Sequence, residues 1–477
     1  MNTIPPLLLT IALATGCLGA QSGVPSAADS LIVGSVLAAE NRRDASDPVF
    51  TTAATHPNAT IRALASRATD RITDALHAAR TEAPPLAPPP QYADPAWRLR
   101  YRALGGRDVA CHTVHAALAD SVWPVRFRAM AVLTPQCTDS VTLTKLRGWA
   151  DALPATDVAR TADGVSWHAA AHAVVALARL SPPDAARRLP RFAVHPVWQV
   201  RQYGVRAATV LGDSAWIRSR WSDRHPNVRA AAITALASST NPADRTRLID
   251  FLGGDEVTAV LAAARALKDA PEPAARSAAN AAFARWVGRA NASERDVRVA
   301  LLAVSGKPAT DDQPPASVAP LPDLAIALAL GAEVRLRVVM SAASGGGEFT
   351  VRMRGDVAPI TAARIVALAE SGYYDGLSWH RVEHDFVIQG GSPGEDEYVG
   401  SSEYFRDELG TVSHLRGTVG MSTRGHDTGD AQWFINLRDN QRLDRDYTLF
   451  AEVIDGIEVV DRILEGDLIE SVVRVSP

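Results

Sequence analysis

The sequence predicts a chain in two parts, an all-α solenoid followed by a β-rich domain with two helices, and three observations carry that prediction. Before about residue 305, "HPNATIRALASRA" from His56, "HPVWQVRQYGVRAATVL" from His195 and "HPNVRAAAITALAS" from His225 repeat one plan. Each has a polar or proline-containing turn, a Val/Ile-Arg pair, then apolar residues at helical spacing. The stretch "SGKPATDDQPPASVAPLP", between Ser305 and Pro322, then loses apolar periodicity and marks a linker. Beyond it, "AEVRLRVVM", "GEFTVRMR" and "YTLFAEVI" alternate or cluster β-formers around turn signals such as "SGGG". At 477 residues the chain exceeds what one hydrophobic core organises, so more than one domain is expected.

In chain order, "MNTIPPLLLTIALATGCLGAQSG" joins an apolar run too short to cross a bilayer to a small-residue stretch, and reads as an export signal over residues 1–16. Leu13 to Cys17 resembles a bacterial lipobox, in which the cysteine is lipidated and becomes the first residue. Its leucine lies one place further from the cysteine than in that motif, and no Lys or Arg precedes the apolar run. The expectation is an exported, periplasmic lipoprotein held at a membrane only through a lipid on Cys17, with residues 17–29 as tether. Simple secretion is the alternative. Cys111 and Cys137 then remain as an even pair, either a disulfide of an exported protein or two buried reduced thiols.

Over residues 30–305 the matching arginines Arg62, Arg126, Arg201 and Arg229 recur at about one or two repeat lengths. No single hairpin can bury its apolar stripe, so neighbours stack into a solenoid with a continuous core. The pattern resembles HEAT-type repeats, interrupted by the proline-rich spacer "APPLAPPP" at 83–90. A solenoid of this kind is expected to bind a protein partner. With a net charge of −4 and no long basic run, nothing points to nucleic acid. His168 and His172 share a helix face, as zinc ligands can, but no third ligand lies nearby in the sequence and packing roles are expected.

The linker spans 306–331 and the β-rich domain 332–477. One helix follows Pro359, with Ile360, Ile365, Val366 and Leu368 on its apolar positions, and "GIEVVDRIL" forms a second. Within "WHRVEHDFVIQGGSPG", His380 to His384 spells H-x-x-E-H, a zinc pattern that requires a helix. Phe386-Val387-Ile388 and the following glycines favour strand and loop instead, which would set the two histidines about 13 Å apart. The domain also lacks cysteine and a G-x-S-x-G elbow. No metal, cofactor or covalent intermediate is expected.

"ESGYYDGLSWHRVEHDFVIQGGSPG" followed by "LRGTVGMSTRGHDTGDAQWFINLRDNQRLDRDYTLFAEVIDGIEVVDRI" resembles a cyclophilin-type peptidyl-prolyl isomerase over nearly the whole C-terminal domain. The resemblance implies a closed eight-stranded antiparallel β-barrel with two helices. It also implies an enzyme that rotates X-Pro bonds of polypeptide clients. By resemblance Arg381 is the catalytic group, Gln389 holds it, and Phe386, Val387, Met421, Phe434 and Leu443 floor the proline pocket. Gln432 and the main chain at Thr423 would meet the substrate backbone, His380 would support the site, and Tyr447 stands at the pocket edge.

Where the family usually has methionine, asparagine, phenylalanine and histidine, this sequence has Val387, Thr423, Trp433 and Tyr447. Asp430-Ala431 replaces the small pair that opens a neighbouring pocket, and Arg442 stands where cyclosporin-binding members carry tryptophan. The leading expectation is an isomerase acting on exported clients. The alternative is a non-catalytic proline-binding scaffold or chaperone of the cell envelope.

Overall fold

A computed structural model describes residues 26–74, 92–106, 109–155, 160, 165–269, 272–289, 294–309, 320–401, 403–404 and 406–476. The export signal, Cys17 and the 83–90 spacer lie outside the described residues.

The helical part shows why its arginines recur. Arg62 donates to the carbonyls of His56 and Pro57 at 2.5 and 2.7 Å, and Arg201 to those of His195 and Pro196 at 2.7 and 3.0 Å. Each guanidinium satisfies the turn that begins its own helix. Arg201 also pairs with Asp223 at 2.9 Å, and Arg229 with Glu256 at 2.5 Å, so the same residue ties one hairpin to the next. The histidines of these turns act locally. The side chains of His56, His195 and His225 each accept the N–H two residues on, at 3.1 to 3.3 Å.

Between residues 97 and 304 two apolar clusters run through the stacked hairpins, one centred on Phe127, Leu177 and Phe192, the next on Leu248, Val260 and Trp286. Cys111 and Cys137 are joined as a disulfide, their Cα atoms 5.0 Å apart. The helices Ala27–Arg42, Val49–Ala54 and Ala59–Ile72, expected as part of one solenoid, instead share a core with the β-rich domain, through Val36, Leu37, Ile61 and Leu64. The expected linker contains a helix, Asp323–Ala329, whose Ala325 and Leu328 enter that core. Its apolar face, "LAIALA", is buried because two neighbouring helices supply a surface that no local pattern announces.

The C-terminal part is an eight-stranded antiparallel sheet. Its strands are β1 (Arg335–Met340), β2 (Glu348–Met353), β3 (Arg381–Val382), β4 (Val387–Gly390), β5 (Thr418–Met421), β6 (Trp433–Asn436), β7 (Leu449–Asp455) and β8 (Ile469–Val475). They follow the order β3-β4-β6-β5-β7-β2-β1-β8. β1 alternates between half-buried and buried residues, whereas β4, β5 and β6 are buried throughout. Two helices accompany the sheet, Pro359–Glu370 and the short Ile457–Val460. The expected closed barrel is not shown. β3 and β8 stand at opposite ends of the order, and the segments ahead of them are joined by an isolated bridge between Ser378 and Leu468 and a few backbone hydrogen bonds beside it, not by a continuous ladder. With two residues, both paired to β4, β3 has no length for a second ladder.

Buried arginines fasten the helices to the sheet. Arg98, wholly buried, donates to the carbonyls of His384 and Leu437 at 3.1 and 2.7 Å and pairs with Asp461 at 3.0 Å. Arg71 pairs with Glu40 at 2.8 Å and donates to the carbonyls of Leu409 and Val357, each at 2.6 Å. Removing one such partner would leave a charge or carbonyls buried and unmatched, at a cost of about 3–5 kcal/mol.

Candidate active site

The hairpin of β3 and β4 sets Arg381 directly opposite Gln389. Arg381 donates through Nη1 to Gln389 Oε1 at 3.3 Å, and the Gln389 amide is itself fixed, donating to Ser422 Oγ and to Gln432 Oε1, both at 3.0 Å. The amide therefore cannot turn, and its oxygen stays toward the guanidinium.

Beside this arginine lies an apolar cluster separate from the main cores, made of Val387, Phe434 and Leu443 with Phe386 and Tyr447 packed against them. The Phe434 ring lies over Gly420. A Cβ there would come within 2.4 Å of the ring, so this glycine makes room for the pocket floor. His414 stacks on Phe434 with centroids 5.8 Å apart, and its Nε2 lies 3.1 Å from the Tyr447 carbonyl. Burial lowers its pKa and keeps it neutral, as suits a ring under an apolar wall. Asn440 donates to Asn436 Oδ1 and to the Phe386 carbonyl at 2.7 and 3.0 Å, which fixes the opposite side.

The cleft, about 530 Å³, is lined among others by Arg381, Phe386, Val387, Gln389, Thr423, Phe434, Leu443 and Tyr447. Three expected residues are not on its wall. Met421 is buried in the main core, because strand alternation turns it away from the face that Gly420 shares with Phe434. Gln432 is wholly buried behind Gln389 and donates to the Val399 carbonyl at 2.9 Å, which leaves it to orient Gln389 rather than to meet a substrate. His380 is buried beneath Arg381, and desolvation depresses its pKa to about 4, so it is a neutral support.

The structure adds wall residues that sequence reasoning missed. Glu397 pairs with Arg381 at 3.1 Å, and Arg265 and Asp296 reach the cleft from the helical part. Glu397 belongs to a loop held by that part. Trp198 Nε1 donates to Glu395 at 2.5 Å, Asn227 to the Gly394 and Glu395 carbonyls at 3.0 Å, and Arg265 to the Tyr398 hydroxyl at 2.5 Å. Asp430, wholly buried, accepts from the N–H groups of Ala431 and Gln432 at 2.6 and 3.1 Å. Gly400 packs so tightly against it that a Cβ would fall 2.0 Å from the carboxylate. The Asp430 side chain and Gly400 thus leave no space between them.

The histidines of H-x-x-E-H and the pair His168/His172 do meet, at a cavity of about 420 Å³ behind β3. Among the described residues no group of three or more His, Cys, Asp or Glu is placed to hold a metal ion. What the arrangement offers is a permanent cation, with a rigid fork of donors, beside the apolar cluster of Val387, Phe434 and Leu443.

A family model described as cyclophilin type peptidyl-prolyl cis-trans isomerase matches residues 337–475, and one for HEAT repeats matches residues 195–268. Among curated proteins the chain resembles a peptidyl-prolyl cis-trans isomerase of Helicobacter pylori, 38% identical over 120 residues, which are 24% of this chain and 74% of the relative. It also resembles peptidyl-prolyl cis-trans isomerase ppi1 of Schizosaccharomyces pombe, 37% identical over 121 residues, 24% of this chain and 78% of that protein. A third, CYP18-2 of Arabidopsis thaliana, is 36% identical over 122 residues, again 24% of this chain and 74% of its own length.

Proposed function

From the premise that the chain belongs to the cyclophilin-type peptidyl-prolyl cis-trans isomerases, we propose that it catalyses rotation about X-Pro bonds at the cleft around Arg381. The carrying observation is the guanidinium beside the apolar cluster, oriented by a Gln389 amide that Ser422 and Gln432 lock. Rotation breaks no bond. It removes amide resonance, behind a barrier of about 18–20 kcal/mol. In the twisted state the proline nitrogen gains a lone pair, and a guanidinium donating to it stabilises that state more than either planar form. Phe434, Val387 and Leu443 hold the ring while the preceding carbonyl turns. A protease-coupled assay of cis-to-trans conversion on an X-Pro peptide, with and without chelator, tests the reading. Turnover insensitive to chelator supports it, and its absence in the folded protein rejects it.

The clients are proline-containing polypeptides of an exported compartment, with the protein anchored through Cys17. The lipobox-like Leu13 to Cys17 stretch supports the anchor, and the Cys111–Cys137 bond supports an oxidising surrounding. Mass spectrometry of the mature N-terminus tests the anchor. A first residue other than a lipidated Cys17 rejects it.

One observation favours the alternative scaffold role. The Glu397 carboxylate neutralises Arg381, as a binding module without chemistry could allow. Both side chains keep more than a third of their surface in water, at 36% and 47%. Exposed pairs of this kind are worth about 0–1 kcal/mol, which a substrate readily displaces. Catalysis therefore remains the better reading.

A further inference from the structure

We propose that the catalytic cleft and the helical cavity next to it form one channel. In it, a polypeptide whose proline occupies the apolar pocket continues, extended, past Arg381 and along the faces that the helices Trp198–Leu211, Pro226–Ala235 and Val257–Leu267 turn to the cavity. This deepens the isomerase reading and rests on it.

Three observations carry the inference. The first is continuity. The cleft of about 530 Å³ and the cavity of about 550 Å³ share Arg265, Arg381, Glu397 and Tyr398 as walls. Two side-chain pairs are formed among these shared walls, Arg381 with Glu397 and Arg265 with Tyr398. The second is direction. The Asp430 side chain and Gly400 leave no space between them, so a chain leaving the proline pocket lacks that route and finds open volume on the helical side. The third is lining. The cavity presents Ala230, Ala231, Leu261 and Ala262 as an apolar floor, with polar Gln202, Asn227, Thr234 and Thr258 and charged Arg206 and Glu465 among its other walls. Small side chains at repeat positions leave room for a polypeptide main chain, and a few donors and acceptors can match its amides.

The occupant is the continuation of the substrate itself. Six extended residues span about 20 Å, enough to reach from Arg381 across such a cavity. The helical part would then select clients by the stretch flanking the proline, and the loop carrying Glu397 would be the threshold that the chain crosses.

The test compares a four-residue X-Pro peptide with ten-residue versions extended on either the N-terminal or the C-terminal side, with rates read by exchange NMR on the full chain. One of the extended peptides should show at least about tenfold higher kcat/KM than the short one, equal to about 1.4 kcal/mol. Thr234→Trp, which puts an indole into the helical cavity from an exposed position, should remove that gain and leave the short peptide unaffected. A photo-crosslinker at the far end of the favoured peptide should label the helices Pro226–Ala235 or Val257–Leu267, a readout that does not depend on the variant folding. Equal kcat/KM for all three peptides, or labelling confined to the sheet domain, overturns the channel. Absence of turnover on any peptide would instead overturn the isomerase reading beneath it.

Discussion

Lowering the pH should loosen the joint between helices and sheet. His168, His172, His380 and His384 line one cavity of about 420 Å³, together with Arg128, Arg206, Tyr203, Glu383 and Glu465. Burial is the leading cause of each shift. It depresses His168 and His384 to about 3 and His380 to about 4, and His172 moves the same way. Since the folded values lie below the unfolded value of 6.5, the unfolded chain binds the protons first. Stability is full above pH 6.5 and is lost as pH falls toward 3–4. At pH 5 the gap is about 1.5 units, so each of these neutral histidines costs roughly 2 kcal/mol, and the three with values about 6 kcal/mol together. Glu465 works in the opposite direction, because burial raises its pKa and acid favours its protonated form. The histidine part alone is large against a domain stability of about 5–15 kcal/mol. His384→Phe keeps a ring against Trp97 and Tyr101, whose centroids lie 6.4 and 6.2 Å away, while removing one proton site. Urea melts followed by tryptophan fluorescence at pH 7.5 and pH 5 should show the wild type losing about 2 kcal/mol more than this variant. Equal losses in both proteins would refute the reasoning.

Gln389→Leu should leave the Gln432 Oε1 acceptor buried and unmatched and free the guanidinium to turn, costing about 1–3 kcal/mol in stability and lowering kcat more than it raises KM; calorimetry and the coupled assay read both. Arg442 lies over the Phe386 ring at 4.2 Å and offers a drug no aromatic face, so cyclosporin should inhibit weakly and Arg442→Trp should tighten inhibition about tenfold. Tight inhibition of the native sequence would show that Arg442 does not set affinity. Replacing Cys111 and Cys137 by serine opens a loop with a sequence separation of 26 and should lower unfolding stability of the helical part by about 3 kcal/mol, seen as a drop in Tm that reductant reproduces in the wild type.

Much of this was legible in the chain itself. The solenoid was legible because an arginine such as Arg201 or Arg229 both donates to the turn that begins its own helix and pairs with a carboxylate further on, so the turn-then-arginine plan recurs. Arg381 and Gln389 were named through the resemblance of the block that carries them, and the hairpin of β3 and β4 sets them opposite each other. Met421 and Gln432 were misplaced for a physical reason: neighbours on a strand alternate faces, and Gln432 stands behind another amide that only the fold puts there. Glu397, Arg265 and Asp296 could not be found in advance. Their place at the cleft depends on docking between halves of the chain separated by more than a hundred residues, carried by single contacts such as Trp198 to Glu395 and Arg424 to Asp296. The first three helices belong with the sheet for the same reason, since their apolar stripes look like those of any other hairpin.

The most direct test of the account is the rate of Arg381→Ala on a short X-Pro peptide, measured beside its circular dichroism and Tm. The side chain is about a third exposed and its bond to Gln389 Oε1 is long, at 3.3 Å, so the fold should stand. Loss of the guanidinium should lower kcat/KM at least about tenfold, or about 1.4 kcal/mol of transition-state stabilisation. A folded Arg381→Ala protein that turns over the peptide at the native rate would contradict the claim that this guanidinium drives the rotation.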